Sequence, residues 1–519
     1  MGLPDHLTAR LTIAEQHDLL RRRRGVGRRG VLVATAGVAA ALATGAPATA
    51  ALWRQSAAVP GKLVVPFGRH LAWGANPRTQ MRVGWQVAHP VRKPFVRVGD
   101  SPWSLGDRIP AEIRDLHSAG PGAHAIDQYY VHAAVDNLHA GRRYYYAVGH
   151  HGYEPPASRV ASFTTAPTRT KVPGPFTFTA FGDQGVSRPA LRNDGLVAAQ
   201  DPAFHLHAGD LCYADSSGHG HGSDLYQPRA WDQFLAQTEP VASSVPWMPT
   251  LGNHDMEALY SPDGYGGQRA RWDFPDNGPA KATGAYSFVY GNVGVVALDS
   301  NDVSFEIPAN HGYTGGTQAR WLDRRLKALR ARPDVDFVVV FHHHCAYSTT
   351  VQHGSEGGVR AQWVPLFDKY RVDLVINGHN HVYERADTMR AGKARRTPIG
   401  DTVHPETDGT TYITAGAGGR SLYNFAVPDS YAGHVRNVDE IRSHVSAAGD
   451  HQVIEKVGWS RVRYTGYSFL AVDVAPAEPG GTSTLTLRAL AESGQAVDHL
   501  TIARRVGPDS RAHLDDATA

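Results

Sequence analysis

Five short apolar runs in this chain end on the same kinds of residue, and that regularity limits the folds open to it. Residues 176–181 run into Gly182-Asp183, and residues 205–208 into Gly209-Asp210. Residues 248–251 run into Gly252-Asn253-His254-Asp255, and residues 336–341 into His342-His343-His344. Residues 372–377 run into Gly378-His379-Asn380-His381. Runs of this length bounded by turn residues read as buried strands. Between them lie helical stripes: Trp321, Leu322, Leu326 and Leu329 in one segment, and Trp363, Val364, Leu366 and Phe367 in another. Strands alternating with helices predict an α/β layered domain. Such domains place active sites at the carboxyl ends of their strands, where these polar groups stand. A hairpin over 286–299, turning near Gly291-Asn292, and late strands at 411–414 and 467–474 extend the sheets.

The stretch before this domain reads differently. Residues 80–87, 129–135 and 143–148 alternate between inward and outward positions, with Gly and Pro in the gaps and no helical stripe. Several short strands in about a hundred residues predict an all-β sandwich. Leu138-His-Ala-Gly141-Arg-Arg-Tyr144-Tyr-Tyr146 resembles the turn and strand of a fibronectin type III domain, whose Tyr packs at a corner. A Pro/Thr-rich linker spans 164–175. The expected domains are a sandwich over 62–168, an α/β domain over 174–480, and a C-terminal piece over 481–519 with strands and a polar tail.

The 52 Lys and Arg against 49 Asp and Glu give a formal charge of +3. Within residues 1–50 stand seven arginines (Arg10, Arg21–Arg24, Arg28, Arg29) and three acids (Asp5, Glu15, Asp18). An uncharged, mostly apolar run over 31–46 follows, then Ala48-Thr49-Ala50. A basic region, a short apolar run and a small-residue site make a secretory signal, cleaved near Ala50. Arg28-Arg29-Gly30-Val31-Leu32 resembles a twin-arginine signal; the alternative is an ordinary secretory signal with a basic start. Subtracting the signal's +4 from +3 leaves −1 for the rest, so the basic excess belongs to the export address. No other stretch approaches 18 apolar residues, so no membrane span is expected. No Lys/Arg cluster interleaved with aromatics points to nucleic acid. Cys212 and Cys345 fit either a disulfide or two small buried thiols.

Each polar strand end alone is a weak signal, since 28 histidines make chance clusters common. Together and in this order they resemble the metallophosphoesterase series GD, GDxxY, GNH[ED], H and GHxH. Most members carry Asp-x-His in the first motif; here the sequence is Asp183-Gln184-Gly185. In compensation, Gly209-Asp210-Leu-Cys-Tyr213 places a Tyr as the purple acid phosphatases do. Gly378-His379-Asn380-His381-Val-Tyr383-Glu384-Arg385 matches their GHxHxYER motif throughout. The implied fold is a fibronectin type III-like sandwich followed by a four-layer α/β calcineurin-like sandwich.

The resemblance implies a binuclear centre of Fe(III) with Zn, Mn or Fe(II). Asp183, Tyr213 and His381 would take the first ion, Asn253, His343 and His379 the second, and Asp210 both. His343 is selected from three consecutive histidines because the family places this ligand four residues before an aromatic, here Tyr347. In a strand only one parity reaches a given face. Exchanging a neutral His for an anionic Tyr compensates for exchanging a divalent ion for Fe(III), and either set leaves a charge of about +2. His254 resembles the histidine that contacts phosphate. His353, in Gln352-His353-Gly-Ser-Glu356-Gly, resembles the proton donor, with Gln352 where plant members often have another His.

The function this implies is a secreted acid phosphatase: hydroxide activated at the metals attacks a phosphomonoester in line. The partner is a small phosphate ester. A phosphodiesterase of the same fold, acting on glycerophosphodiesters or nucleotides, has the same ligands. A non-catalytic extracellular binding protein would show degenerate ligands, and none is missing.

Overall fold

A computed structural model of the chain describes residues 59–118, 126–168, 173–220, 226–448 and 451–508. The signal expected over 1–50 lies outside them. Two four-stranded antiparallel sheets open the described chain. One has the order Phe67–Trp73, Met81–Val87, Ile126–Val135, Glu112–Ser118. The other runs Arg108–Pro110, Phe95–Gly99, Arg143–Gly149, Ala161–Thr164. Alternation decides their packing: Leu71, Trp73, Val83, Trp85 and Val131 of one face meet Val96, Tyr146, Val148 and Phe163 of the other in a shared core. The Tyr144 hydroxyl accepts the backbone N–H of His139 at 2.9 Å, closing the corner that its sequence implied.

The second domain stacks two seven-stranded mixed sheets. The first runs Trp247–Thr250, His205–Ala208, Phe176–Phe181, Ser468–Ala475, Thr482–Ala491, Ala496–Arg505, Thr402–Val403. The second runs Tyr286–Tyr290, Val293–Ala297, Phe337–His342, Leu374–Asn377, Thr411–Ala415, Tyr383–Ala386, Ser460–Tyr464. Their inner faces share one core, with Phe178, Leu206 and Val472 against Val295, Val339 and Ile376. Because strand side chains alternate, Val338 and Val340 point outward, into a cluster with Trp321, Leu322 and Leu326 of the helix Thr317–Arg330. On the other side Trp231, Phe234 and Leu235 of the helix Arg229–Ala242 cover Phe181 and Trp247. Four layers result, α/β/β/α.

The boundary expected at 480 divides no fold. Thr482–Ala491 pairs antiparallel with the whole of Ser468–Ala475 through its residues 484–491 and buries Leu485, Leu487 and Ala489 in the inter-sheet core. The α/β domain therefore continues to Arg505. Cys212 and Cys345 are both buried free thiols. No helix among the described residues is long and apolar enough to cross a membrane.

Buried polar contacts join the domains. Arg271 and Glu257 form a fully buried ion pair at 2.7 Å, and the Arg271 guanidinium also donates to the hydroxyl of sandwich residue Tyr130. Gln86 and Gln128 of the sandwich both donate to Asp232 at 2.6 Å. His132 Nε2 donates to the Ala270 carbonyl at 2.8 Å while burial lowers its pKa to about 3. An unfolded His titrates near 6.5, so between those values the unfolded chain binds the extra proton and folding loses stability as pH falls. This one group is expected to cost about 2 kcal/mol on going from pH 7 to pH 5. The thermal stability of His132→Gln should fall less over that interval than that of the unsubstituted chain; equal falls would show that His132 takes up its proton equally in the folded and unfolded states.

Candidate metal centre

The strand ends turn sharply at the candidate ligands. Asp183, Asp210, Tyr213 and His379 all have positive φ, at 58°, 53°, 56° and 65°. Residues with a side chain rarely adopt that conformation, and it costs about 1–3 kcal/mol unless the surroundings impose it. Here glycines leave the room. A Cβ on Gly252 would lie 2.1 Å from Asp210 Oδ1, and one on Gly378 would lie 2.6 Å from Asp183 Oδ2. Asp255 fixes the same turn from beneath. Its carboxylate accepts the backbone N–H groups of Asp210 and Gly252 at 2.8 Å and of Leu211 at 2.9 Å.

All seven expected ligands are buried and converge as two adjoining groups. In one, the Tyr213 hydroxyl lies 3.1 Å from Asp183 Oδ1 and 2.9 Å from His381 Nε2, with His381 Nε2 3.3 Å from Asp183. In the other, His343 Nε2 lies 3.1 Å from Asn253 Oδ1, 3.2 Å from His379 Nδ1 and 3.3 Å from Asp210 Oδ2. Donor atoms of Asp183, Asp210 and His343 lie within 4.8 Å of one another, which joins the groups. Each imidazole is held by its far nitrogen: His343 Nδ1 on the Ala208 carbonyl, His381 Nδ1 on the Ser421 carbonyl, His379 Nε2 on Glu306. That arrangement presents the near nitrogen to an ion.

The strand ends at His342, so strict alternation does not carry through the two histidines that follow. His342 packs on Trp363 and Phe367, away from the site. His344 hydrogen-bonds the Ser300 hydroxyl and lies against His379 with tilted rings 4.4 Å apart, so it backs the site without joining the donors.

The electrostatics fit cations. Burial alone would lower His343, but the carboxylates of Asp210 and Asp183 outweigh it and push it up to about 9. Burial and the same two carboxylates push the Tyr213 phenol well above its ordinary value. Two buried carboxylates and a phenol share this space, so a phenolate forms there only when cations are bound. The donor set of two carboxylates, phenol, amide oxygen and three imidazoles is right for hard and borderline ions.

His254 stands beside this centre. Its backbone N–H donates to Asp210 Oδ1 at 2.9 Å, its Nδ1 to the Asp215 carbonyl at 2.8 Å, and its ring lies 4.5 Å from that of Tyr213. His353 faces His379 with ring centroids 4.3 Å apart, and its Nε2 lies 3.2 Å from the Tyr423 hydroxyl. Sequence reasoning missed three neighbours. Glu306 bonds both His353 and His379. Tyr423 stacks on His381 at 4.0 Å, and the Arg420 guanidinium lies over the Tyr213 ring at 4.6 Å. The last two follow a sixth strand end, Thr411–Ala415 running into Gly416-Ala-Gly-Gly-Arg420, which carries a signal like the other five. Glu306 sits in an irregular loop without a motif.

The family described as the purple acid phosphatase N-terminal domain matches residues 66–165, and that described as calcineurin-like phosphoesterase matches residues 176–383. An uncharacterised protein of Mycobacterium tuberculosis is 32% identical over 537 residues, covering 93% of this chain and 97% of that protein. Purple acid phosphatase 21 of Arabidopsis thaliana is 30% identical, covering 61% of this chain and 67% of that protein. The chain belongs to the purple acid phosphatase family. As a member it is a metal-dependent hydrolase of phosphoric esters; the family implies a binuclear metal centre, and Asp183, Asp210 and His343 form a group that could hold an ion. A purple acid phosphatase from yellow lupin (Lupinus luteus) seeds shares its fold, with a TM-score of 0.65 at 22% identity over 85% of this chain and 75% of that one.

Asp255→Asn replaces one accepting oxygen with an amide that faces a backbone N–H. It is expected to cost about 1–3 kcal/mol in thermal unfolding and to lower metal occupancy, measured by elemental analysis. Unchanged values for both would show that Asp255 does not hold the Asp210 turn.

Proposed function

We propose that this protein is an exported acid phosphatase that hydrolyses phosphomonoesters at a centre of Fe(III) with Zn, Mn or Fe(II). The observation that carries the reading is the phenol oxygen of Tyr213 set between Asp183 Oδ1 and His381 Nε2, where other metallophosphoesterases have a neutral histidine. Asp183, Tyr213 and His381 would hold the first ion, Asn253, His343 and His379 the second, and Asp210 both. Bound there, the two cations supply positive charge to the phosphate oxygens and an acidified water for attack at phosphorus.

The protein's own groups do the rest. His254, fixed through Nδ1, offers its other nitrogen to a phosphate oxygen that gains charge in the transition state. His353 stands across the centre at His379. As the bond from phosphorus to the leaving oxygen breaks, that oxygen keeps the electron pair and takes a proton from His353 Nε2, leaving a neutral imidazole and an alcohol. The signal read in residues 1–50 supports export by the twin-arginine route, which carries proteins already folded.

The metal-loaded protein is expected to turn over p-nitrophenyl phosphate faster than bis-p-nitrophenyl phosphate; the reverse order would replace the monoester reading with the diesterase one. Asp210→Ala should lower that turnover more than about 100-fold, and unchanged activity would favour a binding protein. A visible phenolate-to-iron absorption band is expected, absent from Tyr213→Phe. A colourless, iron-free and fully active enzyme would overturn the Fe(III) assignment alone.

A further inference from the structure

The loop carrying Glu306 reaches the edge of the proposed centre at His379, and its side chain is spent on two histidines. Glu306 Oε2 lies 3.1 Å from His379 Nε2, and Oε1 hydrogen-bonds His353 Nδ1. A second glutamate fixes the loop's backbone. The Glu356 carboxylate accepts the Ser304 hydroxyl at 3.0 Å, the Phe305 N–H at 2.9 Å and the Glu306 N–H at 3.3 Å. Glu356 follows His353 by three residues on the same stretch of chain. One carboxylate thus ties the two loops together, and the other ties their functional side chains.

A free carboxylate here would repel an anionic substrate, so its position needs a reason. The contacts supply one: each of its oxygens meets an imidazole nitrogen. We propose that Glu306 is a positioning residue, which takes the Nδ1–H of His353 so that Nε2 faces the leaving-group oxygen, and which at the same time orients His379. This rests on the phosphatase reading and deepens it. The logic is that of any carboxylate–histidine pair: the carboxylate fixes the tautomer and ring plane, and the other nitrogen does the chemistry. Glu306, His353 and His379 are close enough to hold an ion of their own. But His379 already turns Nδ1 toward His343, so a further ion would need both its nitrogens deprotonated. Hydrogen bonding therefore accounts for the cluster better.

Glu306→Gln tests this without changing the side chain's size. Its single oxygen goes to His379, whose Nε2 must keep its proton when Nδ1 binds an ion. The amide NH2 then faces His353 and removes the acceptor for Nδ1–H. The measurements are made on metal-loaded enzyme with p-nitrophenyl phosphate and with 2-glycerophosphate, whose alkoxide depends far more on a proton donor. On 2-glycerophosphate, kcat is expected to fall about 100-fold in Glu306→Gln and in His353→Asn, and no further in the double variant. On p-nitrophenyl phosphate the loss stays under about 10-fold, and metal content and inhibition by inorganic phosphate are retained. Equal losses on both esters together with loss of metal would overturn the proposal, leaving Glu306 as a support for His379 alone. Losses that multiply in the double variant would overturn it too, and a third bound ion, absent from Glu306→Gln, would replace it with a metal site.

A second readout does not depend on turnover. In zinc-loaded protein labelled with 15N-histidine, the resonance lost in His353→Asn should report a proton on Nδ1, moving toward Nε2 in Glu306→Gln. A proton on Nε2 of the neutral ring in the unsubstituted protein overturns the contact. If neither ester is hydrolysed but this shift is seen, the phosphatase reading fails and the Glu306–His353 contact stands.

Discussion

Two carboxylates buried side by side set the terms for the whole α/β domain. Asp183 and Asp210 lie out of water, with donor atoms within 4.8 Å of each other and of His343. A buried charge is tolerable only when paired and hydrogen-bonded. Around them stand imidazoles, an amide oxygen, a phenol and, over the phenol ring, the Arg420 guanidinium, a donor set suited to holding cations. Much of the local structure holds this arrangement: four ligands at positive φ, glycines too close for any Cβ, and three backbone N–H groups converging on Asp255. Residues 51–519 carry a formal charge of −1, so they hold no basic excess that would draw an anion over the surface.

The sandwich supplies none of the named ligands, yet it braces the segment that carries Asn253. Downstream of Asn253 and Asp255, Gln268 donates to the Asp255 carbonyl at 2.7 Å, and Arg271 pairs with Glu257 beneath sandwich residue Tyr130. The contact between domains therefore ends within a few residues of a ligand. Breaking a buried pair such as Arg271–Glu257 leaves an uncompensated charge, which makes the interface part of the domain's stability.

Much of this was legible before any coordinates. The helical stripe of Trp321, Leu322 and Leu326 lies on the outer face of a sheet, and the strand periodicity of residues 80–87 and 129–135 gives the first sheet of the sandwich. A motif offset singles out His343 among three histidines; in the fold His342 turns into the helix layer, and His343 Nε2 lies beside Asn253, His379 and Asp210. The boundary at 480 was misread because the alternation in Thr482–Ala491 shows a half-buried strand but not which sheet it joins. Arg420 and Tyr423 follow a glycine-rich strand end that resembles the others.

The sequence by itself determined the kinds of donor, their order and the periodicities that put them at strand ends, since these depend on residues near one another in the chain. Only the tertiary structure decided which loops meet over the centre. Glu306 lies 47 residues before His353 and 73 before His379, in a loop without periodicity. Its contacts with them exist because the folded sheets bring distant turns together and Glu356 pins the backbone there. No local pattern encodes such a meeting, because the free energy that fixes it comes from packing and hydrogen bonds between segments far apart in sequence.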